Sequence, residues 1–248
     1  NPFQKDCSLC LSMKNKFSIV TCAQELMEAI APIHCCICSM SINGESIIHR
    51  ICDSCYMSFA PSPSSDILLN SLFRRGNKNT SLLRADSLFE FQHDGAMQIA
   101  IHEMKYENGI NMAFQFGRMM AINRPQPDVD AIIPIPLHPA RKRERGFNQA
   151  YEIARGYAHE HSLDLIDCLQ RNYYTMSQTK LNIEERQSNV RTAFSFTTKA
   201  NIINKRLLLI DDVFTTGATL EHCAEVLLEH GARSVSALTI ASAQLKKG

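Results

Sequence analysis

A short apolar run followed by two acids, a threonine-rich turn and a helical pattern constrains the fold of this chain most strongly. The apolar run, 207–210, is typical of a buried strand, and Asp211 and Asp212 follow it directly. The turn consists of Val213, Phe214, Thr215, Thr216, Gly217, Ala218 and Thr219. Ligands of parallel sheets bind beyond the carboxyl ends of the strands, and a helix start offers free N–H groups to an anion. We therefore expect an anion site between residues 211 and 220.

The chemistry of this turn suits a sugar phosphate. Three threonine hydroxyls and a glycine that allows close backbone approach can hold a phosphate monoester, and the chain contains no Walker-type phosphate loop. Two carboxylates would repel a phosphate unless they face hydroxyl groups or Mg²⁺, so Asp211 and Asp212 suit the diol of a ribose. Acid pairs also end many strands, and threonine-glycine turns often only cap helices. The complete order of strand, acids, turn and helix favours the ligand site over that alternative.

Strand and helix patterns alternate along most of the chain. The strand-like runs are 88–91, 131–135, 206–210 and 234–240. The helical patterns are 95–105, 111–122, 148–161 and 220–230. Such alternation predicts an α/β fold with a mostly parallel sheet flanked by helices.

Two CxxC pairs point to a metal site near the start of the chain. Cys35 and Cys38 form the first pair, and Cys52 and Cys55 form the second after a spacer of thirteen residues. This spacing can close a tetrahedral site of four thiolates, and such a site has no open position, so we expect a structural Zn²⁺. Cys36 is a competing ligand, but its spacing to Cys38 fits the pattern less well.

The remaining cysteines predict no second metal. Cys7 and Cys10 form a third pair without an obvious partner pair, and Cys22 is isolated. Cys168 and Cys223 fit positions in the core. Ten cysteines arranged partly in CxxC pairs are typical of a reducing compartment, and the sequence shows neither a membrane-spanning run nor a secretion signal. We therefore expect a cytoplasmic protein without membrane insertion.

Three further stretches carry a family resemblance. The first is Asp130-Ala131-Ile132-Ile133-Pro134-Ile135-Pro136-Leu137, followed by Arg141, Arg143 and Arg145-Gly146-Phe147-Asn148-Gln149. The second comprises Gln178, Arg186, Asn189, Val190, Ala193 and Phe194, and the third is Lys105-Tyr106. Together they resemble the ComF/GntX family of competence proteins, and the segment 211–219 resembles the phosphoribosyl pyrophosphate signature of type I phosphoribosyltransferases. The cysteine pairs, which follow a short helical pattern and Pro32, also resemble this family.

The resemblance implies a function and a set of site residues. It implies a type I phosphoribosyltransferase-like domain that binds 5-phosphoribosyl-1-pyrophosphate together with Mg²⁺. Arg145 and Arg186 would be catalytic, the latter in a mobile loop that closes over the substrate. The ligand would contact the segment 211–219 together with Pro136, Leu137, Asn148 and Lys105. Each of two assignments has an open alternative. The arginine-rich turn could instead be a solvent-exposed basic turn. Lys105 could instead be a charged helix end that only stabilises the helix dipole.

The domain organisation and the biological role follow from the same features. We expect a cysteine module at 1–60 and a phosphoribosyltransferase-like domain at 66–248, joined by the proline- and serine-rich residues between them. The family resemblance implies a role in DNA uptake, with single-stranded DNA and DNA-uptake proteins as partners. A net charge of +1 argues against general coating of nucleic acid, and Trp is absent. A transferase with an unknown acceptor, a non-enzymatic binding protein and a zinc adaptor with an inactive domain are the competing functions.

Overall fold

From Arg84 onward, the strands of the main sheet are separated along the chain by one or two helices or by two short strands. In this computed structural model, the described residues are 33–42, 44, 46–73, 80–106, 109–125, 128–172, 193–197 and 200–243. The helices are α1 (Asp53–Met57), α2 (Ser65–Phe73), α3 (Ala96–Tyr106), α4 (Gly109–Asn123), α5 (Pro139–Arg145), α6 (Gln149–His161) and α7 (Ala218–Glu229). The strands are β1 (Arg84–Phe91), β2 (Ala131–Pro134), β3 (Asp164–Leu165), β4 (Leu169–Arg171), β5 (Phe194–Phe196), β6 (Arg206–Phe214) and β7 (Ser234–Ala243).

Five of these strands form one parallel sheet. Their order across the sheet is β1-β7-β6-β2-β3, and each neighbouring pair is parallel. The short strands β4 and β5 form a separate antiparallel pair. The predicted α/β fold with a mostly parallel sheet and flanking helices is therefore confirmed. Among the described helices, none has the length and the apolar character needed to cross a membrane.

The sheet has an apolar core on each face because its strand residues alternate in direction. Ile132, Leu208 and Leu238 pack on one face with buried residues of α3, α4 and α6. Leu207 and Leu209 pack on the opposite face with buried residues of α2 and α7. Strands that are buried on both faces require continuous apolar runs, which is why the sequence pattern located them.

Strand β6 is longer than the sequence predicts. The expected strand ended at Ile210, but β6 continues through both acids to Phe214. The reason lies in the neighbouring strand β7, which also runs further than expected and pairs with this extension, Asp211 with Thr239 and Phe214 with Ser242. The two acids therefore lie within β6, close to its carboxyl end, and not in the loop that follows it.

Helix α7 agrees closely with its predicted pattern. Leu220, Ala224 and Leu227 are buried against the sheet at helical spacing, while Leu228 is partly buried and packs against the same core. Gly231 follows the helix with φ of +89°, which is a left-handed conformation that glycine adopts at low cost. Gly231 therefore suits the end of this helix.

Several predicted features lie outside the described residues. These are the helical pattern that leads up to Ile33, the cysteines Cys7, Cys10 and Cys22, and the proposed lid residues Gln178, Arg186, Asn189 and Val190. Cys168 and Cys223 are both fully buried, so their predicted placement in the core is confirmed.

Candidate phosphoribosyl site and cysteine cluster

The acid pair and the proline-rich segment meet at the carboxyl edge of the sheet. Strands β2 and β6 are neighbours, with Pro134 opposite Ile210. The backbone N–H of Ile135 donates to the Ile210 carbonyl at 3.0 Å, which extends the pairing to the residue just before Asp211. The segment that follows Pro134 and the segment that follows Ile210 therefore leave the sheet side by side.

The side chains of the two acids point to opposite faces of β6. Asp212 shares a face with Leu208 and Ile210, where Lys105 Nζ lies 2.5 Å from its Oδ2. Asp211 lies on the face that α7 covers. Each carboxylate also accepts a backbone N–H at 2.8 Å, Asp211 from Asp212 and Asp212 from Val213. These contacts fix both side chains at the strand end.

The pKa values of the two acids move in opposite directions. Burial raises the pKa of Asp211 well above its ordinary value, and the adjacent Asp212 raises it further. Burial also acts to raise the pKa of Asp212, but the charge and the hydrogen bond of Lys105 outweigh it and hold that pKa below its ordinary value. Near neutral pH, Asp212 therefore holds a negative charge paired with Lys105, and Asp211 retains a proton more readily than an ordinary aspartic acid.

The threonine-rich turn follows β6 and opens toward solvent. Phe214 is buried beneath the turn, whereas Thr215 and Thr216 are exposed. The Thr216 hydroxyl accepts from the Ala218 N–H at 3.3 Å and so occupies one donor at the start of α7. Gly217 has φ of +75° and lies directly against Leu72 and Phe214. The turn is therefore a tight helix entry with hydroxyl groups on its outer side.

The segment after β2 builds the second wall of the site. Pro136 is buried, and Leu137 is partly buried. His138 caps α5 by accepting the Ala140 N–H at 3.1 Å. Asn148 donates from Nδ2 to the Ile135 carbonyl at 3.0 Å and accepts the Ala150 N–H at 3.2 Å, so it joins the end of β2 to the start of α6. The geometry of Asn148 thus shows a positioning contact.

A cationic cavity of about 260 Å³ lies beside the acid pair. Its lining residues are Lys105, Leu137, His138, Arg141, Arg145, Gln149 and Arg171. Arg145 contacts the Gln149 side-chain oxygen and lies 5.5 Å from the centre of the Tyr106 ring. Because Lys105 lines the cavity and also pairs with Asp212, the cavity is connected to the acid pair through this lysine. Clustered guanidinium groups of this kind suit a phosphate or a pyrophosphate.

The cavity contains one cation that the sequence analysis missed. Arg171 ends the short strand β4, and its guanidinium lies 5.5 Å from the centre of the Phe194 ring on β5. No motif surrounds Arg171 in the sequence, and only the pairing of β4 with β5 places it at the cavity. Of the other predicted residues, Lys105, Leu137 and Arg145 meet here, whereas Arg186 lies outside the described residues. The individual roles assigned to these residues stay predictions.

The four predicted cysteine ligands form one cluster. The sulfurs of Cys35, Cys38, Cys52 and Cys55 all lie within 4.8 Å of one another. Zinc held tetrahedrally by sulfur at about 2.3 Å places neighbouring sulfurs about 3.8 Å apart. The sulfurs of Cys38 and Cys52 are 3.7 Å apart, which agrees with that spacing. The cluster is therefore compatible with zinc binding, and Cys36 is not one of its members.

Comparisons with known proteins agree with this architecture. Residues 145–247 match the family model of the phosphoribosyl transferase domain. Competence protein F of Haemophilus influenzae is 32% identical over 116 residues, which cover 46% of this chain and 51% of that protein. Competence protein ComFC of Bacillus subtilis is 30% identical over 169 residues, which cover 64% of this chain and 65% of that protein. The aligned regions thus span about half to two thirds of these relatives.

The fold also has likenesses among solved structures. The allosteric regulatory enzyme of purine biosynthesis superposes with a TM-score of 0.40 at 22% identity, covering 55% of this chain and 29% of that one. The matched family domain contains Arg145, the acid pair and the threonine-rich turn, and the cysteine cluster precedes it. Residues 145–247 are thus similar to a phosphoribosyl transferase domain, and the chain is similar to ComF-type competence proteins over about half to two thirds of their length.

Proposed function

We propose that this protein binds 5-phosphoribosyl-1-pyrophosphate together with Mg²⁺ at the carboxyl edge of its sheet. One observation carries the proposal: at that edge, the acid pair at the end of β6 leads into the threonine-rich helix entry, and Lys105 connects Asp212 to a cavity that Arg145 and Arg171 also line. The ligand consists of a ribose diol, a phosphate monoester and a pyrophosphate. The acid pair suits the diol, the threonine-rich helix entry suits the phosphate monoester, and the cationic cavity suits the pyrophosphate.

Each part of the ligand has its own set of contacts in this proposal. The 5-phosphate binds the hydroxyls of Thr215, Thr216 and Thr219 and the free N–H groups at the start of α7. The ribose hydroxyls donate to Asp211 and Asp212. The pyrophosphate occupies the cationic cavity between Leu137, Arg145 and Lys105. The cysteine cluster, at a distance from these groups along the chain, binds one structural Zn²⁺.

The carboxylate oxygens at the end of β6 suit a hard divalent cation. Mg²⁺ prefers carboxylate, water and phosphate oxygens and retains several waters in most protein sites. The oxygens of Asp211 and Asp212 are the groups that would hold it, together with oxygens of the ligand. When bound there, Mg²⁺ would neutralise negative charge on the pyrophosphate. Lys105 keeps Asp212 ionised and therefore ready to accept hydrogen bonds from hydroxyls or metal-bound water.

The arrangement also supports transfer of the phosphoribosyl group. A nucleophilic acceptor would form a bond to C1 of the ribose while the bond from C1 to the pyrophosphate oxygen breaks, and pyrophosphate leaves with the electron pair. Arg145 and Arg171 stabilise the charge that develops on the leaving group. We propose the same for Arg186 on the basis of the family resemblance. The acceptor class stays open.

Replacing the acid pair tests the binding proposal. The double variant Asp211→Asn, Asp212→Asn keeps the shape of both side chains but removes their charge, so we expect loss of Mg²⁺-dependent binding in calorimetry. The control is Asp130→Asn. Asp130 pairs with Arg206 at the start of β6, which is the opposite end of that strand from the acid pair. Unchanged affinity in the double variant, with the fold intact, would refute the proposed site.

We propose a role in the handling of incoming DNA, which the names of its relatives support, and a cytoplasmic location, which the CxxC pairs favour. Two relatives are named competence proteins, and the DNA utilization protein YhgH of Escherichia coli K12 is 27% identical over 143 residues. Single-stranded DNA and DNA-uptake proteins are the proposed partners. Exposed Arg141, Lys142 and Arg143 on α5 border the site and favour an anionic partner there.

Release of pyrophosphate distinguishes an enzyme from a binding protein. The protein is incubated with the sugar pyrophosphate, Mg²⁺ and a pool of bases, amines and oligonucleotides, and pyrophosphate is measured over time. Catalysed release that depends on one component identifies a transferase and its acceptor. Tight binding without release would favour the alternative of a non-enzymatic phosphoribosyl- or DNA-binding protein.

A further inference from the structure

We infer that the cysteine cluster positions Lys105 through helix α3, so that metal binding at the cysteines and ligand binding at the strand edge are coupled. The inference rests on the proposed function for its ligand. Its structural basis is a set of contacts between the segment 48–51, which lies between the two CxxC pairs, and helices α3 and α4. The residues that transmit the coupling are Arg50 and Glu103.

An ion pair connects this segment to the helix that presents Lys105. Arg50 Nη1 lies 2.6 Å from Glu103 Oε1, and the two side chains are only 26% and 17% exposed. Glu103 precedes Lys105 by two positions in α3, so the two side chains leave the helix on different sides. Lys105 reaches Asp212 on β6. Helix α3 is therefore held from one side by Arg50 and from the other by Asp212.

Apolar contacts support the same connection. Ile48 and Ile51 flank Arg50 and are completely buried. They belong to the same core cluster as Met97, Ile101 and Met104 of α3. The His49 N–H also donates to the side-chain oxygen of Gln115 on α4. The segment 48–51 is thus packed against both helices, and its position and that of α3 depend on each other.

The cysteine cluster determines the conformation of this segment. Arg50 has φ of +61°, a left-handed conformation that costs free energy for a non-glycine residue unless its surroundings enforce it. The Arg50 carbonyl accepts the Cys36 N–H at 2.9 Å, and the Ile51 N–H closes a tight turn onto the Ile48 carbonyl. The turn runs directly into Cys52, whose N–H donates to Cys35 Sγ at 3.5 Å. A metal bound to the four sulfurs would therefore fix Arg50 in the position that contacts Glu103.

The coupling must act in both directions. If metal binding favours the position of α3 in which Lys105 pairs with Asp212, the ligand that uses Asp212 binds better to the metal-loaded protein. The same free energy then makes the metal bind better in the presence of ligand. Couplings of this kind commonly change affinity by about fivefold to about a hundredfold.

Hydrogen exchange tests the structural part without any ligand. Chelation of the metal is expected to raise amide exchange in α3 and at the end of β6 while α7 keeps its protection. The variant Arg50→Gln, which retains all four cysteines and the metal, is expected to raise exchange in α3 alone. Unchanged exchange in α3 in both cases overturns the inference. If α3 responds but the metal-loaded protein does not bind the sugar pyrophosphate, the proposed function fails and the mechanical connection stands.

Calorimetry with 5-phosphoribosyl-1-pyrophosphate and Mg²⁺ tests the functional part. Arg50→Gln and Glu103→Gln are each expected to weaken binding about fivefold or more, and the double variant by no more than either alone. Arg50→Lys retains the charge and is expected to restore most of the affinity. Arg118→Gln breaks a comparable ion pair with Glu160 that joins α4 to α6, and it is the control that should bind normally. Equal losses in Arg50→Gln and Arg118→Gln, or no rescue by Arg50→Lys, overturn the inference.

Discussion

Lys105 Nζ and Asp212 Oδ2 lie 2.5 Å apart and join helix α3 to the carboxyl end of β6. The carboxylate is almost completely buried, whereas the lysine side chain is about a quarter exposed. This pair is where the first helix after β1 meets the acid pair of the proposed ligand site. It keeps Asp212 ionised in a buried position, and it also places a cation at the border of the cavity.

Removal of this cation should destabilise the protein in a pH-dependent way. Lys105 lowers the pKa of Asp212, so in the wild type this carboxylate contributes stability above its ordinary pKa of about 4 and loses that contribution as the pH falls. In Lys105→Met, burial dominates and raises the pKa, so stability should fall as the pH rises. We expect a loss of about 2 kcal/mol near pH 8 in urea unfolding, because the lysine is only partly buried.

The control for this experiment is Lys142→Met on the exposed side of α5, which should leave stability unchanged. A Lys105→Met variant whose stability loss is the same near pH 5 and near pH 8 would show that Asp212 does not depend on the lysine for its charge.

Ligand affinity should rise with pH because of Asp211. Burial and Asp212 raise the pKa of Asp211, so this acid keeps its proton to a higher pH than an ordinary aspartic acid, and the proton must leave before the carboxylate can face Mg²⁺ or accept from a hydroxyl. Below that pKa, affinity should fall by up to about tenfold per pH unit as the pH decreases. Calorimetric titrations between about pH 6 and about pH 8 measure this slope.

The single variant Asp211→Asn separates this effect from titration of the ligand phosphates. It cannot ionise, so its residual binding should depend on pH only as much as the ligand itself does. Equal slopes in the wild type and in Asp211→Asn would contradict a raised pKa for Asp211 in the free protein.

Strands β2, β6 and β7 could be predicted because each contains an apolar run that is buried on both faces, whereas the short strands β3, β4 and β5 contain no such run and were not predicted. The end of β6 could not, because acids such as Asp211 and Asp212 are unusual inside a strand. Their placement depends on the extension of β7, whose residues Thr239 and Ser242 pair with this part of β6. Local sequence carries no information about that partner.

The candidate site likewise combines residues that local sequence patterns predict with residues that only tertiary packing places there. The CxxC pairs and the threonine-rich turn are local patterns, and the structure brings the members of each together. Lys105 and Arg171 reach the site only through tertiary packing, one from a helix end and the other from a short strand of a separate sheet. A lysine at a helix end has a common local explanation, so the sequence alone could not separate that role from its contact with Asp212.

Arg171 should contribute directly to pyrophosphate binding. Its guanidinium lines the cationic cavity and lies over the Phe194 ring. We expect Arg171→Met to weaken binding of magnesium pyrophosphate about tenfold, as is typical for loss of one charge-assisted contact. Arg155→Met is a matched control, because Arg155 lies 4.7 Å from the centre of the Phe114 ring and is not one of the residues that line the cavity. Equal affinity in the wild type and in Arg171→Met would remove Arg171 from the proposed site.

A side chain at Gly217 should destabilise the entry of α7. A Cβ atom there would lie 2.4 Å from Leu72 Cδ2 and 2.8 Å from Phe214 Cζ, in addition to a left-handed φ of +75°. Gly146 has a similar φ of +87°, but its Cβ position is open. Both alanine variants should lose about 1 kcal/mol for the backbone conformation, and Gly217→Ala should lose about 1 to 3 kcal/mol more from crowding. If Gly217→Ala and Gly146→Ala lost the same free energy of unfolding in urea, the turn at Gly217 would be able to shift and make room for the added methyl group.

The cysteine cluster should bind one zinc and exclude Cys36. Metal analysis of the purified protein should give about one zinc per chain, since four thiolates complete a tetrahedral site. Cys35→Ser and Cys52→Ser should lose the metal and part of the stability, because the described residues between the two pairs bury little apart from Ile48 and Ile51. Cys36→Ser is the matched control, since it changes a neighbouring thiol outside the cluster and should retain zinc. Loss of zinc from Cys36→Ser, or its retention by Cys35→Ser, would mean that the neighbouring cysteine is the ligand.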